Sequence, residues 1–523
     1  MRHLTGTLAV LLLLSAFAGC DDGGGGGGDT DTDTDTDTDT DTDGDTDTDT
    51  DTDTDTDTDT DEGTLAWAIG AGLDGEVLGF GIHAFADGSS AVVGYFTGTA
   101  TFGAGEPGEV DLASAGGADV FVARFDPDGF LEWARRTGGT GFDFGYGVNA
   151  FPDGTLAVSG YFEDTATFGP GEAGEVQLET AGFSDLFIAR YGADGDLQWA
   201  SAAGGIDFDF GYAVAVLDDG TAVMTGCFYD SATFGAGETG ETTLVSEGEY
   251  DLFVAAYDGD GDLSWARAAG GEGNDCGAGL APIAGGQVLV AGGFEEEAVF
   301  GAGESAETSL TSAGMYDAFA AAFDGSGSLD WAIGAGGAGD DYANGCHHTA
   351  DGVSVIIGYF EETAVFGAGE SGETELSSAG GMDLFAARLA AGGDLDWAKG
   401  AGGAAEEMGT GTHGRDDGAF VATGYFSGEA VFGAGEGNEV TLAPVGSEDL
   451  FVSGCGASGD LEWMISAGGT GGTFGSDVAV LDDGAVLVAG YFSDQATFGA
   501  GEIDETVLDA GSGFDLFVAR FEP

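Results

Sequence analysis

The sequence predicts an all-β fold made of seven copies of one unit, and three observations lead to this prediction. First, all six gaps between the seven tryptophans are 66 residues long; these are Trp67, Trp133, Trp199, Trp265, Trp331, Trp397 and Trp463. Second, tight-turn signals recur at fixed places within the period. Third, no segment has helical periodicity over a useful length. A fixed period indicates one supersecondary unit repeated without insertion, so the copies contact one another in a regular array.

Two turns recur in the copies, in which positions are numbered by their distance after the Trp. The first lies at +20/+21, for example Asp87-Gly88 and Asp153-Gly154. The second lies at +61/+62, for example Asp128-Gly129. Asp-Gly between apolar runs is typical of a two-residue hairpin, and we expect a type I′ turn, in which both central residues have positive φ.

The second copy illustrates the strands that these turns connect. Short apolar runs predict strands near residues 147–151, 155–162, 185–191 and 196–200. A lesser hairpin, from residues 166–168 and 176–178, is expected between the second and third strands.

Four antiparallel strands joined by tight turns are typical of one propeller blade. The predicted fold is therefore a seven-bladed β-propeller with four-stranded antiparallel blades of 66 residues. A β-solenoid is the alternative array, but it needs parallel stacking, which a unit full of hairpin turns fits poorly.

The two ends of the repeat region predict how the array closes. The region begins at residues 64–68 with a fourth strand and stops at residues 515–521 with a third strand. We expect the N-terminal strand to pair with the C-terminal blade over a propeller domain of residues 64–523. Such pairing removes two unpaired sheet edges, which are otherwise sites of aggregation.

Several aromatic and glycine positions are identical in all seven copies. Gly stands at +27 and Phe at +29, +35 and +54, the last within an Asp-x-Phe triplet that begins at +52. We interpret the Phe and Trp residues as core between neighbouring sheets, with ligand stacking as the alternative.

Residues 119–134, Asp-Val-Phe-Val-Ala-Arg-Phe-Asp-Pro-Asp-Gly-Phe-Leu-Glu-Trp-Ala, are followed by Gly-Gly, an apolar strand, Asp-Gly and Gly-Tyr-Phe. This pattern resembles the SBBP-type β-propeller repeat of bacterial surface and secreted proteins, over about residues 64–523. The Phe-Gly-Ala-Gly-Glu segment departs from that pattern. The resemblance implies a propeller outside the cytoplasm, and it implies no shared catalytic residues.

The first 20 residues predict a lipoprotein signal peptide that ends at Cys20. Basic residues precede an apolar stretch from Leu8 to Ala18, which is about half the length that a membrane-spanning helix needs. Ala18-Gly19-Cys20 resembles the bacterial lipobox, in which the cysteine is lipidated. The alternative is an ordinary signal peptide with an incidental cysteine.

Residues 21–63 predict a disordered acidic tether of Gly and Asp-Thr repeats, because they offer nothing apolar to bury. We expect localisation in a bacterial cell envelope, lipid-anchored at the outer membrane or cell surface, with the periplasmic side as the alternative.

The charge of the chain is strongly negative, with 95 Asp and Glu against 10 Lys and Arg. Twenty of these acids lie between Asp21 and Glu62, so the repeats keep 75 acids against nine basic residues. Nucleic acid is excluded as a partner because its phosphates need basic contacts. Solubility in salt-rich surroundings and cation-dependent binding are the two explanations for the acids.

Two sets of residues are candidate metal ligands. The glutamates at +39 would form a ring on one face: Glu106, Glu172, Glu238, Glu304, Glu370, Glu436 and Glu502. Three histidines, His83, His347 and His413, all fall at +16. Calcium for the first set is the one cofactor considered; channel-lining side chains with water are the alternative for the second. The aspartates at +52 are expected to accept backbone N–H bonds beside turns.

The repeats contain four cysteines at four different positions of the period: Cys227, Cys276, Cys346 and Cys455. We favour buried thiols that act as small apolar side chains. A bridge between Cys227 and Cys276 of neighbouring blades is the alternative.

No catalytic motif is recognisable, and the protein is not expected to be an enzyme. We expect a binding or scaffold module for a protein or a polysaccharide, acting as a monomer and touching the membrane through its lipid anchor only. A cation-dependent carbohydrate-binding module is the alternative, and a glycan-degrading enzyme is a third.

Overall fold

A computed structural model describes residues 63–349, 352–415 and 417–522. Every regular element in these ranges is a β-strand, and they contain no helix that could cross a membrane. Contacts separate residues 1–60 from residues 61–523, and all described residues belong to the second of these units. The predicted signal peptide, the lipidated Cys20 and nearly all of the predicted tether lie outside the described residues.

The strands repeat with the period of the tryptophans. The first four copies and the N-terminal strand contain β1 (Thr64–Asp74), β2 (Val77–Ala84), β3 (Ser90–Phe102), β4 (Val110–Phe125), β5 (Leu131–Gly139), β6 (Phe144–Ala150), β7 (Leu156–Phe168), β8 (Val176–Tyr191), β9 (Leu197–Ala203), β10 (Asp209–Val216), β11 (Ala222–Phe234), β12 (Thr242–Tyr257), β13 (Leu263–Gly271), β14 (Asp275–Ile283), β15 (Gln287–Phe300), β16 (Thr308–Phe323) and β17 (Leu329–Gly337). The remaining copies contain β18 (Asp341–His348), β19 (Ser354–Phe360), β20 (Thr363–Phe366), β21 (Thr374–Ser377), β22 (Asp383–Leu389), β23 (Leu395–Gly403), β24 (Glu407–Gly414), β25 (Phe420–Phe426), β26 (Ala430–Phe432), β27 (Val440–Leu442), β28 (Asp449–Cys455), β29 (Leu461–Gly469), β30 (Thr473–Val480), β31 (Val486–Phe498) and β32 (Thr506–Glu522).

Each unit is a four-stranded antiparallel meander. In the third copy, β10 pairs with β11, β11 with β12 and β12 with β13. The fourth strand of each unit carries the Trp that begins the next copy. The four strands predicted for the second copy are confirmed as β6 to β9, although β8 begins nine residues before the expected start because it includes the lesser hairpin.

The lesser hairpin is an outward continuation of the second and third strands. In the second copy Thr165 to Phe168 pair with Glu179 to Val176, after an irregularity at Asp164, whose φ is +56°. In the fifth and sixth copies the same segments are separate strands, β20 with β21 and β26 with β27. The hairpin therefore extends each sheet rather than interrupting it.

The prediction of positive φ at both +20 and +21 holds in the fourth copy, at Gly285 and Gly286, but it is wrong where the structure describes Asp-Gly at these positions. Gly88 has a φ of +88°, but the φ of Asp87 is not positive. The Phe85 carbonyl accepts the N–H of Gly88, and the Phe85 N–H donates to the Ser89 carbonyl. This is a three-residue loop, a type I turn followed by a left-handed glycine. Asp87 is suited to it because its carboxylate accepts the Ser89 N–H at 3.0 Å.

The first strands of successive units contact one another: β2 with β6, β6 with β10, β10 with β14, β14 with β18, β18 with β24 and β24 with β30. Strand β30 of the last copy also contacts β2 of the first. At the chain ends, β1 pairs antiparallel with β32, with Ile69 opposite Val518 and Gly70 opposite Phe517. The described fold is thus all-β and propeller-like, and its first strands contact one another in succession.

The recurring Phe residues form the core, as predicted. In the first unit Phe96, Phe102 and Phe121 are fully buried, and the rings of Phe102 and Phe121 are 5.1 Å apart. The same pair of rings lies at 4.9–5.2 Å in the other six copies. The glycine at +27 is required by close approach, because a Cβ on Gly94 would collide with the Leu78 carbonyl oxygen and the Phe121 ring.

The tryptophans join one unit to the next. Trp133 lies on the fourth strand of one unit, and its indole N–H donates to the Ala193 carbonyl, 60 residues later, at 3.0 Å. Its ring covers Gly195 in the turn between the third and fourth strands of the next unit. Five further tryptophans make the same bond at 3.0–3.1 Å: Trp67, Trp199, Trp265, Trp331 and Trp397.

We predict that Trp199→Ala lowers the free energy of unfolding by about 2 kcal/mol, since a half-buried ring and its hydrogen bond are lost. Trp199→Phe keeps most of the ring contact and is expected to cost about 1 kcal/mol. Urea denaturation followed by circular dichroism measures both. Phe130→Ala is the control, because Phe130 is 55% exposed and its loss should stay within about 0.5 kcal/mol. Equal losses for Trp199→Ala and Phe130→Ala would contradict the role of the indole.

Candidate functional site

The seven glutamates at +39 accept backbone hydrogen bonds. Glu106 Oε2 accepts the N–H of Leu131 at 2.8 Å, and Glu502 Oε2 accepts that of Leu65 at 2.6 Å. The other five accept the equivalent leucine N–H at 2.7 Å. Each glutamate thus fixes the start of a fourth strand through one carboxylate oxygen. Glu436 also forms an ion pair with Lys399 through Oε1.

The aspartates at +52 accept N–H bonds, as predicted. Asp119 Oδ2 accepts the Ala115 N–H at 2.9 Å, and five further copies have the same bond at 2.9–3.2 Å. The sequence interpretation missed that most of them face a second acid at +10 of the next copy. In the middle of the chain these two acids are Asp251 and Asp275, and Asp275 Oδ2 accepts the Gly271 N–H at 2.7 Å.

Five such acid pairs recur: Asp119 with Asp143, Asp185 with Asp209, Asp251 with Asp275, Asp317 with Asp341 and Asp383 with Glu407. The two carboxyl groups converge on the glycine at +5. A Cβ on Gly270 would lie 2.6 Å from Asp251 Cγ and 2.8 Å from Asp275 Oδ2. Only glycine leaves room for the pair. In the last two junctions the second position is Thr473 or Val77, so no second carboxylate is present there.

Burial raises the pKa of these carboxyl groups, and for the acids at +10 the neighbouring aspartate raises it further. The pKa of Asp275 is raised to about 8, and that of its partner Asp251 to about 7. The pKa values of Asp143 and Asp341 are both raised to about 7. Because two buried negative charges repel each other, these pairs favour the binding of a proton. At Asp119 the Arg136 guanidinium, 2.8 Å away, opposes this by lowering the pKa of that carboxyl. Each pair lies between the third strand of one unit and the first strand of the next.

The histidines at +16 lie on first strands. The rings of His347 and His413 are 4.4 Å apart, and His83 lies on β2. Burial lowers the pKa of His83 and His413 to about 4, so both are neutral at pH 7. Strand β30, between β24 and β2 in the contact order, brings Asp477, whose Oδ2 accepts the Ile82 N–H at 3.1 Å. Within the described ranges, no set of three His, Cys, Asp or Glu residues is arranged to hold a metal ion.

Cys227 and Cys276 form a disulfide with a Cα–Cα distance of 4.9 Å, so the alternative interpretation of these cysteines is the correct one. Cys346 and Cys455 are free, and Cys346 is buried. The bridge joins β11 of one unit to β14 of the next. It replaces an aromatic contact found at equivalent positions elsewhere, such as Tyr161 with Phe210, whose rings are 5.0 Å apart.

The basic residues are concentrated at one edge of the sheets, which we call the lower face and define by the turns at +20/+21 and +61/+62. Arg190 there pairs with Asp153 at 2.7 Å, and Arg520 with Asp483 at 3.4 Å. Of the nine Lys and Arg residues in the repeats, eight contact groups beside these turns: Arg124, Arg135, Arg190, Arg267, Arg388, Lys399, Arg415 and Arg520. The ninth, Arg136, is paired with Asp119 at 2.8 Å.

The opposite edge, the upper face, consists of the residues at +7 to +9, +30, +31, +50 and +51. In the second and third copies it exposes large aromatic side chains. Phe142 is 52% exposed, Phe183 60%, Phe208 39% and Tyr229 37%. The Phe183 and Phe208 rings stack at 4.9 Å with an angle of 7° between their planes. Sequence reasoning missed this face because these positions vary from copy to copy and carry no motif.

In the fourth to sixth copies several of the equivalent positions of the upper face are acidic. They include Glu295, Asp340, Glu361, Glu406 and Glu448. Burial raises the pKa of Glu361, and the neighbouring Asp340 raises it further. The upper face therefore combines exposed aromatic rings on one side with a dense set of carboxylates on the other, and Arg136 is the one basic residue near it within the described ranges.

Comparisons with known proteins add little to this geometry. No family model matches the chain, so the SBBP-type resemblance stays a prediction. A curated protein, the regulatory protein FlaEY of Caulobacter vibrioides, is 26% identical over 147 residues. That match covers 28% of this chain and 15% of FlaEY, so the chain spans a small part of that relative's length.

Solved structures with detectable similarity have low overall agreement. The WD40 domain of Neurospora crassa Pan2 has a TM-score of 0.34 and 10% identity, covering 72% of this chain and 88% of that one. A Bacteroides caccae protein of unknown function has a TM-score of 0.25 and 10% identity, covering 52% of this chain and 94% of that one. The rhamnogalacturonan lyase YesW has a TM-score of 0.26 and 12% identity, covering 82% of this chain and 76% of that one.

We predict that the acid pairs make the protein less stable as the pH rises. The pKa of Asp275 is raised from 3.8 to about 8 in the folded state. The protonated carboxyl therefore contributes fully to the free energy of unfolding below pH 3.8, and this contribution is lost as the pH rises through about 8. Asp275→Asn removes this titration, and its amide oxygen can still accept the Gly271 N–H. Denaturation midpoints of wild type and variant between pH 5 and 9 measure it; the variant's midpoint should fall less steeply.

Asp449→Asn is the matched control, since Asp449 faces Thr473 rather than a second acid. Its pH profile should stay closer to that of the wild type. A variant Asp275→Asn with the wild-type slope would show that the pair does not hold a proton near neutral pH.

We predict that reduction of the Cys227–Cys276 bridge lowers the free energy of unfolding by about 2–4 kcal/mol, because it releases a cross-link between two units. The double variant Cys227→Tyr/Cys276→Phe restores the aromatic pair of the preceding junction. Its denaturation midpoint is expected to be the same with and without dithiothreitol. A wild-type midpoint that dithiothreitol leaves unchanged would contradict the bridge.

Proposed function

We propose that this protein is a seven-bladed, closed β-propeller that serves as a binding or scaffold module of a bacterial cell envelope. The observation that carries the proposal is the asymmetry of the two faces. The lower face carries eight of the nine basic residues, which pair with some of its carboxylates. The upper face of the second and third copies instead exposes a cluster of aromatic rings beside carboxylates. Exposed aromatic patches of this kind mark interaction surfaces.

Four observations support closure into a ring. Strand β1 pairs with β32, and β2 contacts β30. The Leu65 N–H donates to Glu502, and the Ile82 N–H donates to Asp477 of the last copy. Each of the two bonds joins the first copy or the N-terminal strand to the seventh copy. The bond to Glu502 is the same one that the other six glutamates make.

Anchoring is proposed from the sequence. Lipidation at Cys20 would hold the domain at the outer membrane or cell surface, or on the periplasmic side, and the Asp-Thr segment would space it from the bilayer. The domain would act as a monomer, in the manner of an SBBP-type repeat protein, with a protein or a polysaccharide as its partner.

An enzymatic role is not proposed, because the recurring acids of the repeats are engaged with backbone N–H groups or with one another. A cation-dependent carbohydrate-binding module is the weaker candidate. In each glutamate at +39, Oε2 is already bound to a leucine N–H, so the ring offers calcium fewer free oxygen atoms.

The proposed role predicts a ligand that depends on the upper face. Peptide and glycan arrays would be probed with the full chain, with Phe183→Ser/Phe208→Ser and with the lower-face control Phe130→Ser, each with and without calcium. We expect ligands whose binding signal falls about tenfold in the double variant, because two interface aromatics are removed. The control should give the same signals as the wild type. Arrays without any signal that separates the two variants would contradict a binding role for this face.

A further inference from the structure

We propose that the upper face binds an arginine-rich segment of a partner protein. The site is the aromatic arc, which we define as Phe142, Phe183, Phe208, Tyr229 and Tyr250. This inference rests on the binding role proposed above and names the chemistry of its partner.

The aromatic arc is part of one continuous network of rings. Phe208 contacts Phe183 at 4.9 Å and Phe210 at 6.3 Å. Phe210 contacts Tyr250 at 5.9 Å, and Tyr250 contacts Tyr229 at 5.2 Å.

The network reaches its other end through the second unit. Phe210 contacts Tyr161 at 5.0 Å and Tyr161 contacts Phe144 at 5.1 Å. Phe144 stacks near Phe142 at 6.5 Å. The buried members hold the exposed rings in place, so that binding costs little side-chain ordering.

Carboxylates surround the exposed rings. Asp207 lies between the exposed residues Ile206 and Phe208. Burial raises the pKa of Tyr250, and the charges of Asp207 and the exposed Glu249 raise it further. At the other end, Glu163 Oε2 accepts the Phe142 N–H at 3.2 Å. In the described second and third copies, Arg135 and Arg190 lie at the lower face. Arg136, the basic residue near the upper face, is already paired with the buried Asp119 at 2.8 Å.

This combination favours a guanidinium group over other ligands. Arginine stacks on aromatic faces and pairs with carboxylates through the same planar group, whereas a lysine ammonium is more strongly hydrated and cannot stack. An uncharged sugar could stack on the rings but would gain nothing from the surrounding negative charge. A polyanion would be repelled.

Several arginines rather than one are expected to bind. The arc spans two neighbouring units, with Phe142 on one side and Tyr229 on the other, and carboxylates lie at both ends. The acidic positions of the fourth to sixth copies continue the same edge. A free cation would occupy one point of this surface, whereas an extended basic segment can contact rings and carboxylates along it.

Fluorescence anisotropy at physiological ionic strength tests the proposal. The probe is a short fluorescein-labelled peptide of alternating Arg and Gly, titrated with the full-length protein. Matched peptides replace Arg with Lys or with uncharged citrulline. We expect the arginine peptide to bind more tightly than the lysine peptide, and the citrulline peptide to lose binding.

The protein variants separate the arc from general attraction to an acidic protein. The double variant Phe183→Ala/Phe208→Ala should bind the arginine peptide about tenfold more weakly than the wild type. The affinity of the lower-face control Phe130→Ala should stay within about twofold of the wild-type value. Phe208→Tyr should retain binding, because it keeps a ring in place. Thermal midpoints close to the wild-type value establish that each variant is folded.

Two results would overturn the inference. If Phe183→Ala/Phe208→Ala and Phe130→Ala bind the arginine peptide with equal affinity, the peptide is held by overall charge alone. A neutral oligosaccharide that binds and is lost with Phe183→Ala/Phe208→Ala, while the arginine peptide does not bind, would assign the arc to a glycan. The second result would leave the proposed binding function intact, whereas arrays without face-dependent signals would remove that function as well.

Discussion

The contact between each tryptophan and the turn of the next unit is the constraint on which the repeat depends. The indole N–H donates to a carbonyl 60 residues later, and the ring covers the glycine of that turn. A change of register in either strand would move the acceptor away from the donor. Within the described residues six of the seven tryptophans make this contact, each at a separation of 60 residues. The carboxylates act beside this contact: the glutamates at +39 fix the start of the fourth strand within each unit, and the acid pairs lie between one unit and the next.

Much of the fold could be predicted from the sequence, because its signals are local or periodic. The strand order follows from turns between apolar runs, and the buried Phe residues follow from identity at fixed positions. The turn type could not be obtained this way: Asp-Gly suits both a two-residue loop and the three-residue loop observed at Phe85–Ser89, and the carbonyl and N–H geometry decides between them. The lesser hairpin was predicted as a feature but not as an extension of the sheets.

Less of the candidate site could be predicted, because it depends on contacts between different copies. The Cys227–Cys276 bridge had a signal: its separation of 49 residues is the same as that of Tyr161 from Phe210. The acid pairs had one too, in the recurrence of Asp at +10 in the second to fifth copies. The aromatic arc has no periodic signal, since its residues belong to two copies only. Its exposure is visible once the strands place +9 beside +50 of the preceding copy.

The pairing of the N-terminal strand with the last strand can be tested most directly by cross-linking Thr64→Cys with Glu522→Cys, which lie opposite each other on β1 and β32. Oxidation of the double variant, followed by mass spectrometry of its peptides, identifies the bond; each single variant is the control. The account predicts an intramolecular disulfide between residues 64 and 522 in most molecules and in neither single variant. A double variant that forms no such bond, or forms it only between molecules, would contradict a closed ring.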